Sequence, residues 1–84
     1  MIDPDISVRV ECYAGHQGEE TPRRFFLEGR PIDVAEVVDR WLAPDHRYFK
    51  LRDRQGATWI LRNDTRSGHW ELTMYQRSPA GPYQ

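Results

Sequence analysis

The chain predicts a small, mainly β domain, an antiparallel meander or partly open SH3-like barrel of five or six strands. Three observations carry that reading. In the second half, residues 47–53, 57–63 and 69–76 alternate apolar and polar side chains. Period two puts Phe49 and Leu51, Trp59 and Leu61, and Trp70, Leu72 and Met74 on one face, which must find a core. The runs are joined by short Gly-marked turns, and such links enforce antiparallel pairing because a parallel crossover needs about a dozen residues or more. Finally, 84 residues with 38% hydrophobic and 12% aromatic side chains suffice for one core and no second domain. Residues 1–77 read as that domain and 78–84, with two Pro and a Gly, as a frayed tail.

Taken in order, residues 1–6 are a lead-in, and Val8, Val10 and Cys12 alternate with Arg9, Glu11 and Tyr13 as a first strand. Ala14 to Pro22 gathers Gly, Glu, His and a Thr-Pro step without periodicity, which is loop chemistry. Arg23 to Leu27 resumes as a strand. Glu28-Gly29 then supplies positive φ for a tight hairpin, and Arg30 to Val34 returns beside it. Asp33 to Leu42 reads two ways. Val34, Val37, Val38, Trp41 and Leu42 fall at helical spacing, and Asp33 with Glu36 resembles a capping box, so one helix at 33–42 in an α+β fold is the alternative. Against it stand the poor helix propensity of Val and the economy of a bulged strand, 31–41, leading directly into the next one. After Pro44 the three-strand meander begins, with turns at Asp53-Arg54-Gln55-Gly56 and at Asp64 to Gly68.

The net charge of −1 conceals an asymmetry: residues 1–45 sum to −5 and residues 46–77 to +4. In one folded domain these charges either neutralise each other in place or segregate into two faces. No stretch approaches the roughly 20 apolar residues that span a bilayer. A single cysteine, Cys12, makes no internal disulfide, and the first residues carry neither a basic segment nor a long apolar run, so the expectation is a cytoplasmic protein with a reduced thiol.

The polar face of the meander is the strongest binding candidate. Tyr48, Lys50, Arg52, Arg62 and Tyr75 would lie there together, cations interleaved with aromatics, a composition that suits phosphates and stacked bases of single-stranded nucleic acid. Charged residues are equally what a wet sheet face requires for solubility, and a pI near 6.3 lacks the basic signature of a nucleic-acid binder. Phe25, Trp41, Phe49, Trp59 and Trp70 read as core, with a partner site indicated if one of the tryptophans is exposed. Cys12, His16, His46 and His69 carry zinc-ligand chemistry without a Cys-x-x-Cys pair, so no metal and no cofactor is expected. A Cys12 nucleophile lacks any local activating signal, and no Gly-rich phosphate cradle is present.

The segments Phe25–Val34, Val37–Trp41, Tyr48–Leu51, Trp59–Asp64 and Gly68–Leu72 together resemble a group of short uncharacterised bacterial cytoplasmic proteins. They resemble more loosely a domain of unknown function encoded near Y-family translesion polymerases in actinobacteria. The resemblance covers roughly residues 8 to 76 and implies a compact β domain, favouring the bulged strand over the helix. It implies no activity, because its motifs are structural. The expectation is therefore a non-catalytic interaction module that binds another protein through an exposed sheet face or edge. Single-stranded nucleic-acid binding is the alternative, and a small enzyme using Cys12 or a His is a third reading.

Overall fold

The computed structural model describes residues 6–13 and 21–78, and six strands occupy most of them: β1 (Ile6–Tyr13), β2 (Thr21–Leu27), β3 (Arg30–Leu42), β4 (His46–Asp53), β5 (Thr58–Asp64) and β6 (Trp70–Gln76). Each strand pairs antiparallel with its neighbour in sequence, and β6 returns to β1, so the meander closes into a barrel. Residues 1–5, 14–20 and 79–84, most of the lead-in, the loop and the tail, lie outside the described residues. Ile6 opens β1; Thr21 and Pro22 belong to β2, and Pro22 is buried opposite Cys12.

The 33–42 segment is strand, and the helix alternative is overturned. β3 is 13 residues long and pairs with β2 through Arg30–Asp33 before crossing to β4 through Val34–Leu42. Its register against β4 shifts between Val34 and Glu36 and again between Val37 and Asp39, leaving Ala35 and Val38 as inserted residues. Each bulge stretches the two-residue repeat to three. The inward positions consequently run Val34, Val37, Arg40, a spacing that imitates a helical stripe in sequence.

The core is set by the inward phase of the remaining strands. Val8, Phe25, Phe49, Leu51, Ala57, Trp59, Leu61, Trp70 and Leu72 are buried together. Two aromatic pairs fill the middle: Phe25 meets Trp59 edge-on with ring centroids 5.0 Å apart, and Phe49 meets Trp70 at 5.6 Å. Trp41 and Met74, both expected inside, are not part of this cluster. The two bulges of β3 cancel in phase, so Trp41 returns to the outward side opposite Tyr48.

The turns are fixed by backbone demand and by two aspartates. Glu28 and Gly29 both hold positive φ, 51° and 81°, the pair of left-handed conformations a two-residue hairpin requires. Asp53 governs the β4–β5 turn: Oδ1 accepts the backbone N–H groups of Gln55 and Ala57 at 2.8 and 2.9 Å, and Oδ2 accepts the Trp59 indole N–H at 2.9 Å. One carboxylate thus ties the turn to the core. Asp64 governs the β5–β6 turn, accepting from the N–H groups of Arg66 and Ser67 at 2.8 and 3.2 Å. Those amides hold its carboxyl below the ordinary value. The Arg24 guanidinium, hydrogen-bonded at 2.6 Å, does the same for Asp33.

Replacing Phe25, which has no exposed surface, by Ala should cost about 3–5 kcal/mol of unfolding free energy through lost contacts and the cavity left behind. Leu42→Ala, at a side chain 77% exposed, should change stability by less than about 0.5 kcal/mol, and urea titrations of the two variants decide the matter. A group whose folded pKa lies below its unfolded value contributes stability that is complete above the unfolded value and is lost as pH falls through the folded one. The urea midpoint should therefore decline on acidification below about pH 4. Asp64→Asn keeps an acceptor oxygen for the turn amides, so it should flatten that decline while leaving the neutral-pH fold intact.

Candidate recognition face

The outward phase of β3, β4, β5 and β6 presents cross-strand rows set by the register. Trp41, Tyr48, Arg62 and Glu71 form one row; Asp39, Lys50, Ile60 and Met74 form the next; Glu36, Arg52, Thr58 and Gln76 form the third. Of the residues predicted to form a site, Tyr48, Lys50, Arg52 and Arg62 are brought to this one face. Tyr75 is not. The register of β5 against β6 slips between Ile60 and Leu61, which leaves Thr73 as an inserted residue and opposes Tyr75 to Trp59, an inward residue. Strict alternation from Trp70 hides that slip, because a single extra residue exchanges the two faces of the strand beyond it. Tyr75 accordingly packs its ring 4.3 Å from Trp59 while remaining 48% exposed.

Tyr75 instead helps to wall a cavity of about 830 Å³ at one end of the barrel, between the β2–β3 hairpin and the β4–β5 turn. Leu27, Ile32, Trp59 and Leu72 line it, with Asp33 and Asp53 among its polar groups. Those carboxylates are already engaged. Asp53 serves the turn amides and the indole, and Asp33 lies between Arg24 and Arg54, the latter at 3.7 Å.

The basic side chains of the outer face do not form an uncompensated patch. Arg52 donates to Glu36 at 2.9 Å, and Arg62 Nε donates to Glu71 at 3.0 Å with a second, shorter contact from the same guanidinium. Lys50 stands opposite Asp39. The acids come mostly from β3, whose strand character makes it the neighbour of β4. Along the β3–β4 ladder Glu36 and Asp39 stand opposite Arg52 and Lys50, so acidic and basic halves of the sequence meet at this face.

What sequence reasoning missed here is Trp41. It is 41% exposed and lies flat on Tyr48, with centroids 5.3 Å apart and ring planes within 3° of parallel. The available signal was the bulged-strand reading itself: strand phase returning through two insertions puts Trp41 outward. Val38, 37% exposed, is an inserted residue of the same strand, and Leu42, 77% exposed, stands opposite Arg47 on the other phase.

Among the described residues the Cys12 thiol and the imidazoles of His46 and His69 form no metal cluster. Cys12 is half-buried in β1 beside Pro22, whereas His46 and His69 lie 3.9 and 3.8 Å from the carboxylates of Asp64 and Glu71. Among the described residues no cluster of three or more His, Cys, Asp or Glu is arranged to hold a metal ion. His16, the neighbour in sequence of Cys12 in the zinc-ligand set, lies outside the described residues.

Comparisons with protein-family models, curated proteins and solved structures gave no match. The face is thus defined by its own chemistry. A double-mutant cycle of Glu36→Ala and Arg52→Ala, read by urea unfolding, should give a coupling of about 0.2–1 kcal/mol that shrinks at high salt, as an exposed cross-strand pair requires. No coupling at low salt would mean that Arg52 is available as a free cation in solution.

Proposed function

We propose that the protein is a non-catalytic interaction module that binds another protein through the outer face of β3 and β4, with Trp41 and Tyr48 as its anchor. The observation that carries this reading is the exposed tryptophan. A closed barrel of this size has a core to absorb large aromatics, and four of the five aromatics expected there are absorbed. Trp41 is left in solvent, already ordered by stacking on Tyr48. Tryptophan and tyrosine are the residues most often found to dominate interface energetics, and a pre-stacked pair loses little side-chain freedom on binding. Around it the ion pairs Glu36–Arg52 and Arg62–Glu71 supply the polar rim typical of a recognition surface.

A second reading, single-stranded nucleic-acid binding, has one observation in its favour: a flat aromatic pair bordered by Arg62 and Lys50 is a stacking platform for a base. It is the weaker of the two because the guanidiniums of Arg52 and Arg62 are engaged by carboxylates of the same sheet. A phosphate backbone would have to displace those carboxylates.

Selection of binders to the folded domain from a displayed protein library tests the two together. Binders that use this face should lose affinity by about 30-fold or more, a hot-spot loss of at least 2 kcal/mol, in Trp41→Ala, and should be unaffected by Tyr75→Ala. Their affinity should change little between low and high salt. Tight binding of a labelled oligothymidylate, steeply salt-dependent and abolished in Trp41→Ala, would replace this reading with the second. Binders indifferent to Trp41→Ala would remove the anchor.

A further inference from the structure

At the end of the barrel opposite the cavity, the inward phase carries charge where apolar contacts are the norm. Arg40 lies across from Phe49 in the β3–β4 register, and Arg47 precedes Phe49 by two residues in β4, so all three share a face. The guanidinium carbons of Arg40 and Arg47 stand 5.6 and 5.9 Å from the Phe49 ring centroid. Asn63, opposite Arg47 in β5 and 5% exposed, completes the set. Arg47 donates from Nη2 to Asn63 Oδ1 at 3.1 Å, but its Nε is buried and meets no acceptor.

The nearby acids are turned to other tasks. Asp39 accepts the backbone N–H of Arg40 at 2.8 Å; Asp64 accepts two turn amides and borders His46; Glu71 holds Arg62. Two like charges on diagonal positions of one face repel each other, and a buried N–H without an acceptor is a cost the fold carries. The repulsion is relieved by the arrival of an anion. Phe49 holds both guanidiniums beside its ring through cation–π attraction, and Asn63 fixes one Nη of Arg47.

We propose that Arg40 and Arg47, flanking Phe49 beside Asn63 at this open end of the barrel, form a subsite for a phosphate group. Two positive charges match a dianionic phosphate better than a singly charged carboxylate, and planar guanidinium donors suit its tetrahedral face of oxygens. The subsite is separate from the Trp41–Tyr48 anchor, which lies on the outward phase, and stands if that reading fails.

The test is a titration of the full chain with inorganic phosphate, following the arginine Nε–Hε resonances at constant ionic strength and about pH 8, above the second phosphate ionisation. A saturable displacement of the Arg47 resonance is expected, with acetate at least about fivefold weaker. Arg40→Ala, at an exposed position where the fold should tolerate it, should weaken phosphate by about tenfold, and Arg54→Ala at the opposite end should not. Arg47→Lys retains the charge but not the planar guanidinium fork, and should weaken phosphate comparably. A displacement that never saturates, that acetate reproduces, or that Arg40→Ala leaves untouched overturns the proposal.

Discussion

Closure of the sheet is the constraint on which everything else depends. Six strands bury one face only if the ribbon curls far enough to bring β6 back onto β1, and that seam is narrow, running from Ile6 opposite Leu72 to Val8 opposite Trp70. A flat meander would leave Phe25, Leu51 and Leu61 exposed on one side. The curl comes from inserted residues: register shifts in β1–β2, twice in β3–β4 and once in β5–β6 bend and twist the strands they interrupt. The same insertions decide which side chains face solvent, so architecture and recognition surface have one origin.

That common origin explains why the two ends and the outer face differ in character. At one end the bulge at Thr73 turns Tyr75 toward Trp59 and lines a cavity. At the other, Arg40 shares the phase of Phe49 and stands with Arg47 beside its ring. Between them the outer face carries Trp41 on Tyr48, framed by ion pairs. Bulges and charges along β3 also make it a poor template for unwanted strand pairing, which a long strand paired on one side at a time would otherwise invite.

Much of this was legible in the chain. Alternation in β4 and β5 located Phe49, Leu51, Trp59 and Leu61 in the core, and the Asp and Gly residues of the turns located the strand ends to within a residue or two. Four of the five candidate site residues were placed on one face by the same logic. Where the reading broke at Tyr75 and Met74, the cause was phase: an extra residue has no composition signature, yet it exchanges inside for outside for every position after it. Trp41 broke for another reason: the two insertions in β3 cancel, so it stands outward as alternation from Val34 places it, and its aromatic bulk alone had assigned it to the core. The charges failed to converge for a different reason, since their partners Glu36 and Asp39 come from a segment whose sequence spacing is equally that of a helix.

The sequence by itself determined the class of structure, because apolar residues at period two, joined by turns too short to cross over, can be buried only as an antiparallel sheet. It determined the content of the core and the chemistry of the turns on the same grounds. The tertiary structure alone decided the register, hence which aromatic stands in solvent and which arginines face one another. Register follows from the closure of the whole ribbon, a condition on all six strands at once that no local window contains.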